Sequence, residues 1–490
     1  MKKDSFRRSM LYRHRVLWGF SAFMLFVVLF AGYRFWLLPG GLTEAEIATA
    51  STSGHWSPLA LSFSPDWLVN LPWNFLQHTS IDLFGLSTFA IRLPAVLLMI
   101  MVAAGMFYLI KKWSRFSLAM IGGFLMITSV LFISLARHGA PAAMVLFLIV
   151  TSLVAATTVV VDKRSSFITL LAKVVVGICL ALLIYFPGGI YMAAMLIVTG
   201  LLHPKVRLLL VRIKAWKMVL AALLGIGLLL PLVLAMSLHW PDGGGATLSQ
   251  LLLIDGQWSL SNLAASLEAL FGAQAGLDHG VVTPIITIVG LLLVAIGTIR
   301  VLADASSARS YLVLSTLLMT LIASWRQPEL IYLLFLPLTL LTVLGMEVLI
   351  GKWYSLFPKN PYARGTAVIM LSVLVATIAF ASLGRYLDVQ YYSSNVAYQY
   401  NSEFRIVRQE VRKRSNDQLT LVVKRDQLPF YQLLAENFSN LTVTDKLPKS
   451  QSTVLVLASS GQTKGKQLPS RIITTWHSVD PVLIRVYQQH

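Results

Sequence analysis

The feature that most limits what this chain can fold into is a recurrence of long apolar runs. They fall at roughly 17–38, 89–111, 116–136, 141–161, 167–186, 188–203, 218–238, 281–301, 309–325, 329–350 and 365–384, most of them near the ~20 residues that a helix needs to cross a bilayer. With 56% of residues hydrophobic, 12% charged and a mean hydropathy of +0.72 over 490 residues, lipid is the solvent for most of the chain. The expectation is a mainly α, polytopic membrane protein with about eleven transmembrane helices. Pro187-Gly188-Gly189, Pro231 and Pro337 interrupt some runs, and neighbouring helices can satisfy the backbone groups freed there.

A formal charge of +19 would suit nucleic acid, yet the basic residues border the apolar runs and form no patch with interleaved aromatics. No nucleic-acid partner is expected; the charge describes topology. Counted on alternate sides, Lys and Arg gather at the N-terminus, Lys111-Lys112-Trp113-Ser114-Arg115, Lys163-Arg164, Lys205 to Lys217, Arg300/Arg309 and Lys352/Lys359/Arg364, which predicts that side to be cytoplasmic. Opposite lie a first loop, about 39–88, with Glu44, Glu46, Asp66 and Asp82, and a second, about 239–280, with Asp242, Asp255, Glu268 and Asp278, neither with Lys or Arg. Arg137 and Arg326 are the exceptions on that side. The basic start followed by a long apolar run without a small-residue cleavage site reads as an uncleaved anchor in a multi-pass cell-membrane protein. Cys179 is the single cysteine, so an intrachain disulfide is excluded.

The pattern changes near residue 386. Leu419–Val423, Leu441–Thr444, Thr453–Leu457, Ile472–Thr475 and Val482–Tyr487 are short and rich in β-branched residues, and read as strands. Glu403–Arg414 and Leu428–Phe438 read as helices. The division expected is a transmembrane domain, 1–385, and a small α/β domain, 386–490, outside the cytoplasm.

The first outer loop carries the densest chemistry. Pro39-Gly40-Gly41-Leu42-Thr43-Glu44-Ala45-Glu46 sets two carboxylates two residues apart, which on a helix would point about 200° apart, so one of them faces any given cleft. On composition alone they are solvated loop acids. Beyond them come Gly54-His55-Trp56-Ser57-Pro58, Pro65-Asp66-Trp67-Leu68 and Leu71-Pro72-Trp73-Asn74, aromatics that can anchor at the interface or roof a cavity. His55, His78, His239 and His279 lack ligand-like spacing. No cofactor is expected, a divalent metal staying compatible with the acids.

The order of these features resembles the GT-C superfamily of polyprenyl-phosphate-sugar-dependent glycosyltransferases, in particular bacterial relatives of protein O-mannosyltransferases and of the lipid A aminoarabinose transferase. The resemblance rests on the acidic loop, the Gly-x-Trp step, Leu83-Phe84-Gly85-Leu86-Ser87, Ile91-Arg92-Leu93-Pro94, Ser134-Leu135-Ala136-Arg137, Leu183-Ile184-Tyr185-Phe186-Pro187-Gly188-Gly189, and Arg326 before Leu330-Ile331-Tyr332-Leu333-Leu334-Phe335-Leu336-Pro337. It implies transfer of a hexosyl or pentosyl unit from a polyprenyl-phosphate donor to a protein, lipid or glycan acceptor outside the membrane. The family's Asp-Glu pair is here Thr43-Glu44 or Ala45-Glu46, which makes Glu44, with Glu46 as alternative, the base. Arg137, His138 and Arg326 would hold the donor phosphate, since a guanidinium keeps its charge and offers a planar fork of donors. The missing aspartate leaves a second reading, a non-catalytic membrane scaffold or lipid- or glycan-binding protein.

Overall fold

The computed structural model describes residues 14–55, 68–161, 166–204, 207, 215–240, 242–254, 256, 258–271, 284–358, 360–392, 400, 402–448, 453–462, 469–474 and 482–487. The stretch from Trp56 to Trp67, Lys163-Arg164, His279 and most of the basic N-terminus therefore lie outside the described residues. Among the described residues, sixteen α-helices lead to the C-terminal module: α1 (Arg15–Gly32), α2 (Glu44–Gly54), α3 (Leu71–Phe84), α4 (Thr88–Trp113), α5 (Phe116–Ile127), α6 (Val130–Ala136), α7 (Ala142–Val161), α8 (Ser166–Leu183), α9 (Gly189–Leu202), α10 (Ala215–Leu238), α11 (Asp242–Leu251), α12 (Leu260–Phe271), α13 (Ile288–Ala303), α14 (Ala308–Arg326), α15 (Phe335–Leu356) and α16 (Pro361–Tyr392). By length and composition, six helices among the described residues can cross a membrane, or seven when the bent pair α5 and α6 is one span. Any higher number of crossings rests on the shorter apolar helices α8, α9, α10, α12 and α13. The chain is a multi-pass, mainly helical membrane protein.

Local chemistry explains the breaks. The run read as one span at 116–136 bends by 63° between Ile127 and Val130, where Thr128 turns its hydroxyl onto the Phe124 carbonyl and Ser129 caps α6 through the Phe132 N–H. Within α4, Pro94 leaves the Ala90 carbonyl without its usual helical donor, and the Ser80 hydroxyl donates to it at 2.7 Å. Where α13 crosses α15, a Cβ at Gly297 or Gly345 would collide with the Leu341 or Leu293 carbonyl, so the small residues permit backbone-to-backbone packing.

The two acid-bearing loops are not extended. The first folds into α2 and α3, the second into α11 and α12, all short helices that the apolar runs do not announce. Contacts also sort the ends of the spans into two sides. The basic turn after α4 meets α14 through Arg309, which donates to the Trp113 carbonyl at 3.0 Å, and meets α15 through the Ser114 hydroxyl, 3.3 Å from Glu347. At the other ends of α4 and α16 lie the first loop and the C-terminal module.

The module contains α17 (Glu403–Lys413), β1 (Leu419–Val422), α18 (Leu428–Glu436), β2 (Leu441–Thr444), β3 (Thr453–Leu457), β4 (Arg471–Thr474) and β5 (Val482–Tyr487). Its sheet has the order β2-β1-β3-β5-β4, with β1 parallel to both β2 and β3 and with β5 antiparallel to β3 and β4. One sheet face, with Leu419, Leu421 and Leu455, packs on Phe404, Val407, Phe430 and Leu434 of α17 and α18. The same core continues into Leu42, Ile47 and Ala50 of the first loop and Ala90 and Ile91 of α4. Gly54 lies so close to Leu433 that an added Cβ would clash with it. Module and loop are thus built on one hydrophobic core, on one side of the membrane.

Candidate active site

The local sequence sets the site. Thr43 is the N-cap of α2: its hydroxyl accepts from the Glu46 N–H at 3.1 Å, and the Glu46 carboxylate accepts from the Thr43 N–H at 3.0 Å, a reciprocal capping box. The helix that starts there separates the two acids. Glu44 is exposed and Glu46 is fully buried.

Glu46 meets Arg92, which projects from the first turns of α4 and is also fully buried. The pair is two-pronged, Arg92 Nε to Oε1 at 2.7 Å and Nη2 to Oε2 at 2.9 Å. Oε1 accepts a further bond from the Gly139 N–H at 2.8 Å, and His138 Nδ1 stands 3.6 Å from it. Arg92 spends its other donors on the carbonyls of Phe35 (3.3 Å), Pro39 (2.9 Å) and Gly41. Every donor of the guanidinium and every acceptor site of the carboxylate is therefore engaged. Burial pushes the Glu46 carboxyl up, but the charges of Arg92 and His138 with the hydrogen bonds from Arg92 and Gly139 outweigh it, and the group is held down at about 2. Gly139 can come this near because it lacks a side chain: a Cβ there would lie 2.9 Å from the Ile91 carbonyl oxygen.

Arg137 is the C-cap residue of α6, two residues before the glycine that Glu46 grips. It is buried, donates through Nη2 to the Phe30 carbonyl at 3.0 Å, and sets its guanidinium 5.6 Å from the centre of the Tyr386 ring of α16. Its Nε has no hydrogen-bond partner among the described residues. Around this cluster, Ser53 donates to Gln77 at 2.8 Å and Gln77 to the Ile91 carbonyl at 3.2 Å, which locks α2 and α3 onto α4.

Arg326 sits elsewhere on the same side. At the end of α14 it donates to the carbonyls of Leu253 and, at 2.7 Å, Ile254, and lies 5.3 Å from the centre of the Trp258 ring. A chain of backbone contacts connects that turn to the first loop, since the Gly188 N–H donates to Leu251 at 3.0 Å and the Asn70 N–H to Tyr185 at 2.8 Å. The motif from Leu183 to Gly189 is thus a clasp between the two loops. Glu46, His138 and Arg137 share one cluster, Arg326 has its own, and Glu44 faces the module, where Lys424, paired with Asp426 at 2.9 Å, is near enough to interact with its charge.

Arg92 is the residue that sequence reasoning left without a role. Its signal was present, an arginine within an apolar span, where an ionisable group is costly unless paired. Among the described residues no three His, Cys, Asp or Glu side chains group as metal ligands would.

No family model matches the chain, and no curated protein does. Solved structures share its fold. ArnT from Cupriavidus metallidurans, crystallised bound to undecaprenyl phosphate, superposes with a TM-score of 0.58 at 12% identity over 96% of this chain and 98% of its own. The oligosaccharyltransferase of Archaeoglobus fulgidus, tethered to an acceptor peptide, gives a TM-score of 0.50 at 13% identity over 88% of this chain and 64% of its own. In complex with an inhibitory peptide and a dolichol-phosphate, that oligosaccharyltransferase, AglB, gives 0.50 at 12% identity over 87% and 64%.

Proposed function

From this shared GT-C fold, we propose that the chain is a membrane glycosyltransferase that moves a sugar from a polyprenyl-phosphate donor to an acceptor on the extracytoplasmic side. The observation that carries the reading is the arrangement of the first loop in a chain of this fold. A buried ion pair fixes the start of α2, an exposed carboxylate stands at its first residue, and a buried arginine with an unspent donor lies two residues from the same anchor. Two of the similar structures hold a polyprenyl-type phosphate, undecaprenyl phosphate in one and a dolichol-phosphate in the other.

In this reading Arg137 and His138 hold the donor phosphate, and Arg326 adds positive charge from its own cluster on the same side. Glu44 takes the proton from an acceptor hydroxyl as its oxygen bonds to the anomeric carbon, while the bond from that carbon to the phosphate oxygen breaks and the lipid phosphate leaves with the electron pair. Glu46 is a positioning residue. Its lone pairs are already engaged, so it holds Thr43 and Gly139 in place and leaves proton removal to Glu44. A single displacement of this kind inverts the anomeric centre.

The test is transfer from a radiolabelled polyprenyl-phosphate sugar in membranes. Glu44→Gln should lower turnover by about 10²–10⁴-fold with donor binding kept, and Arg137→Ala should weaken the donor itself. Full turnover in Glu44→Gln would remove Glu44 as the base. Absence of transfer by the unmutated chain across common donors would remove the enzymatic reading.

A further inference from the structure

The C-terminal module carries a second concentration of charge, unconnected with the cluster around Glu46. On α17, Arg405, Arg408 and Arg412 recur at spacings of three and four, which brings them to one face of the helix with Gln409 between them. The other face, Phe404, Val407 and Val411, is buried in the module core, so the arginines cannot turn inward. With Lys413 they line an open cavity of about 350 Å³.

Like charges at these spacings oppose helix formation unless something compensates them. The acids of α17 do not. Glu403 is buried and accepts from the Ser459 N–H at 3.2 Å and the Ser459 hydroxyl at 2.8 Å. Glu410, also buried, is shared among Lys413 (3.7 Å), Arg414 (3.7 Å) and Arg471 (3.6 Å). Among the described residues, Arg405, Arg408 and Arg412 make no ion pair. Burial and the nearby charge of Arg412 push the Arg408 guanidinium below its ordinary range, as crowding without a counter-charge would.

We propose that this face of α17 is an anion site that takes a ligand carrying two or more phosphate groups. Three guanidinium forks suit phosphate oxygens, and the Gln409 amide adds a neutral donor. From Arg405 to Arg412 the helix rises roughly 10 Å at 1.5 Å per residue, a span wider than one phosphate group. The phosphates can come from a lipid surface or from a free polyphosphate, and the chemistry is the same for both.

The experiment uses the full chain in nanodiscs and two probes. The first is inorganic pyrophosphate titrated against protein in phosphatidylcholine nanodiscs; the second is co-flotation of those same nanodiscs with phosphatidylglycerol vesicles against phosphatidylcholine vesicles. In at least one arm the unmutated protein should bind, and less tightly as salt is raised. The variant Arg405→Gln, Arg408→Gln, Arg412→Gln should lose at least about tenfold in affinity in that arm, whereas replacing the same three residues by Lys should keep a good part of it. Binding of pyrophosphate identifies a free phosphate source, and selective flotation with phosphatidylglycerol identifies a head group. Equal binding by the Gln and unmutated chains, or none in either arm, overturns the proposal. Retention by the Lys variant separates lost charge from lost folding.

Discussion

Arg92 and Arg326 both stand at the ends of apolar helices on the same side of the protein, and they are held in opposite ways. Arg92 is sealed with a carboxylate, every donor filled and no solvent near it. Arg326 is half-buried, held by two backbone carbonyls and an aromatic face, with no acid paired to it among the described residues. The first arrangement fixes structure, because removing either partner strands a buried charge. The second holds the guanidinium by backbone dipoles and an aromatic face. Identical residue types thus divide into a charge-paired pin and a backbone-held cation according to what surrounds them.

The largest effect expected is on the pin. Arg92→Ala should destabilise the protein by about 3–5 kcal/mol, since Glu46 would be left charged and buried. Thermal unfolding in detergent reads it. Replacing both residues by apolar ones of similar size, Arg92→Met with Glu46→Leu, should be milder than either single change. If the double variant is as unstable as Arg92→Ala, the hydrogen bonds to Phe35, Pro39 and Gly41 matter more than the charge pair.

A somewhat smaller effect follows from pH. The Glu46 carboxyl is depressed from an ordinary value of 4.5 to about 2 in the folded chain. Its contribution is therefore present in full above pH 4.5 and is lost as pH falls through the interval down to about 2. By linkage that is on the order of 3 kcal/mol. Unfolding followed between pH 6 and 2 should show the loss in the unmutated chain and a flatter profile in Glu46→Gln. Parallel profiles would mean that other carboxylates govern acid unfolding.

The smallest effect belongs to Arg326→Ala. Loss of the contact with Trp258 should alter stability by about 0.5–1 kcal/mol. A loss as large as that in Arg92→Ala would erase the contrast between the two regions. A weakened lipid-phosphate donor with unchanged melting would sharpen it.

Much of this was legible in the chain. The strands expected at Leu419–Val423, Leu441–Thr444, Thr453–Leu457, Ile472–Thr475 and Val482–Tyr487 coincide with the sheet to within a residue, because β-branched clusters between polar turns have few other uses. The opposite directions of Glu44 and Glu46 followed from their spacing. What escaped was the second meaning of Thr43-x-x-Glu46, a helix-starting signature as well as a pair of candidate acids. Read that way, it announces α2 and commits Glu46 to the backbone. Arg92 escaped because attention to helix ends passes over a charge inside a span, and its partner lies 46 positions away in sequence, beyond any local rule. The short helices of the loops, the bend at Thr128-Ser129 and the separate placement of Arg326 depend on tertiary contacts and have no periodic signature.

The common core of the first loop and the terminal module bears on how the protein is made. Gly54 finds its neighbour Leu433 only after some 380 further residues have been synthesised, which at about 5–20 residues per second takes on the order of twenty to seventy-five seconds. During that interval Leu42, Ile47 and Ala50 have emerged on their side of the membrane without the surface that will cover them. The helices from α1 to α16 are thus synthesised before the first loop can close onto α18.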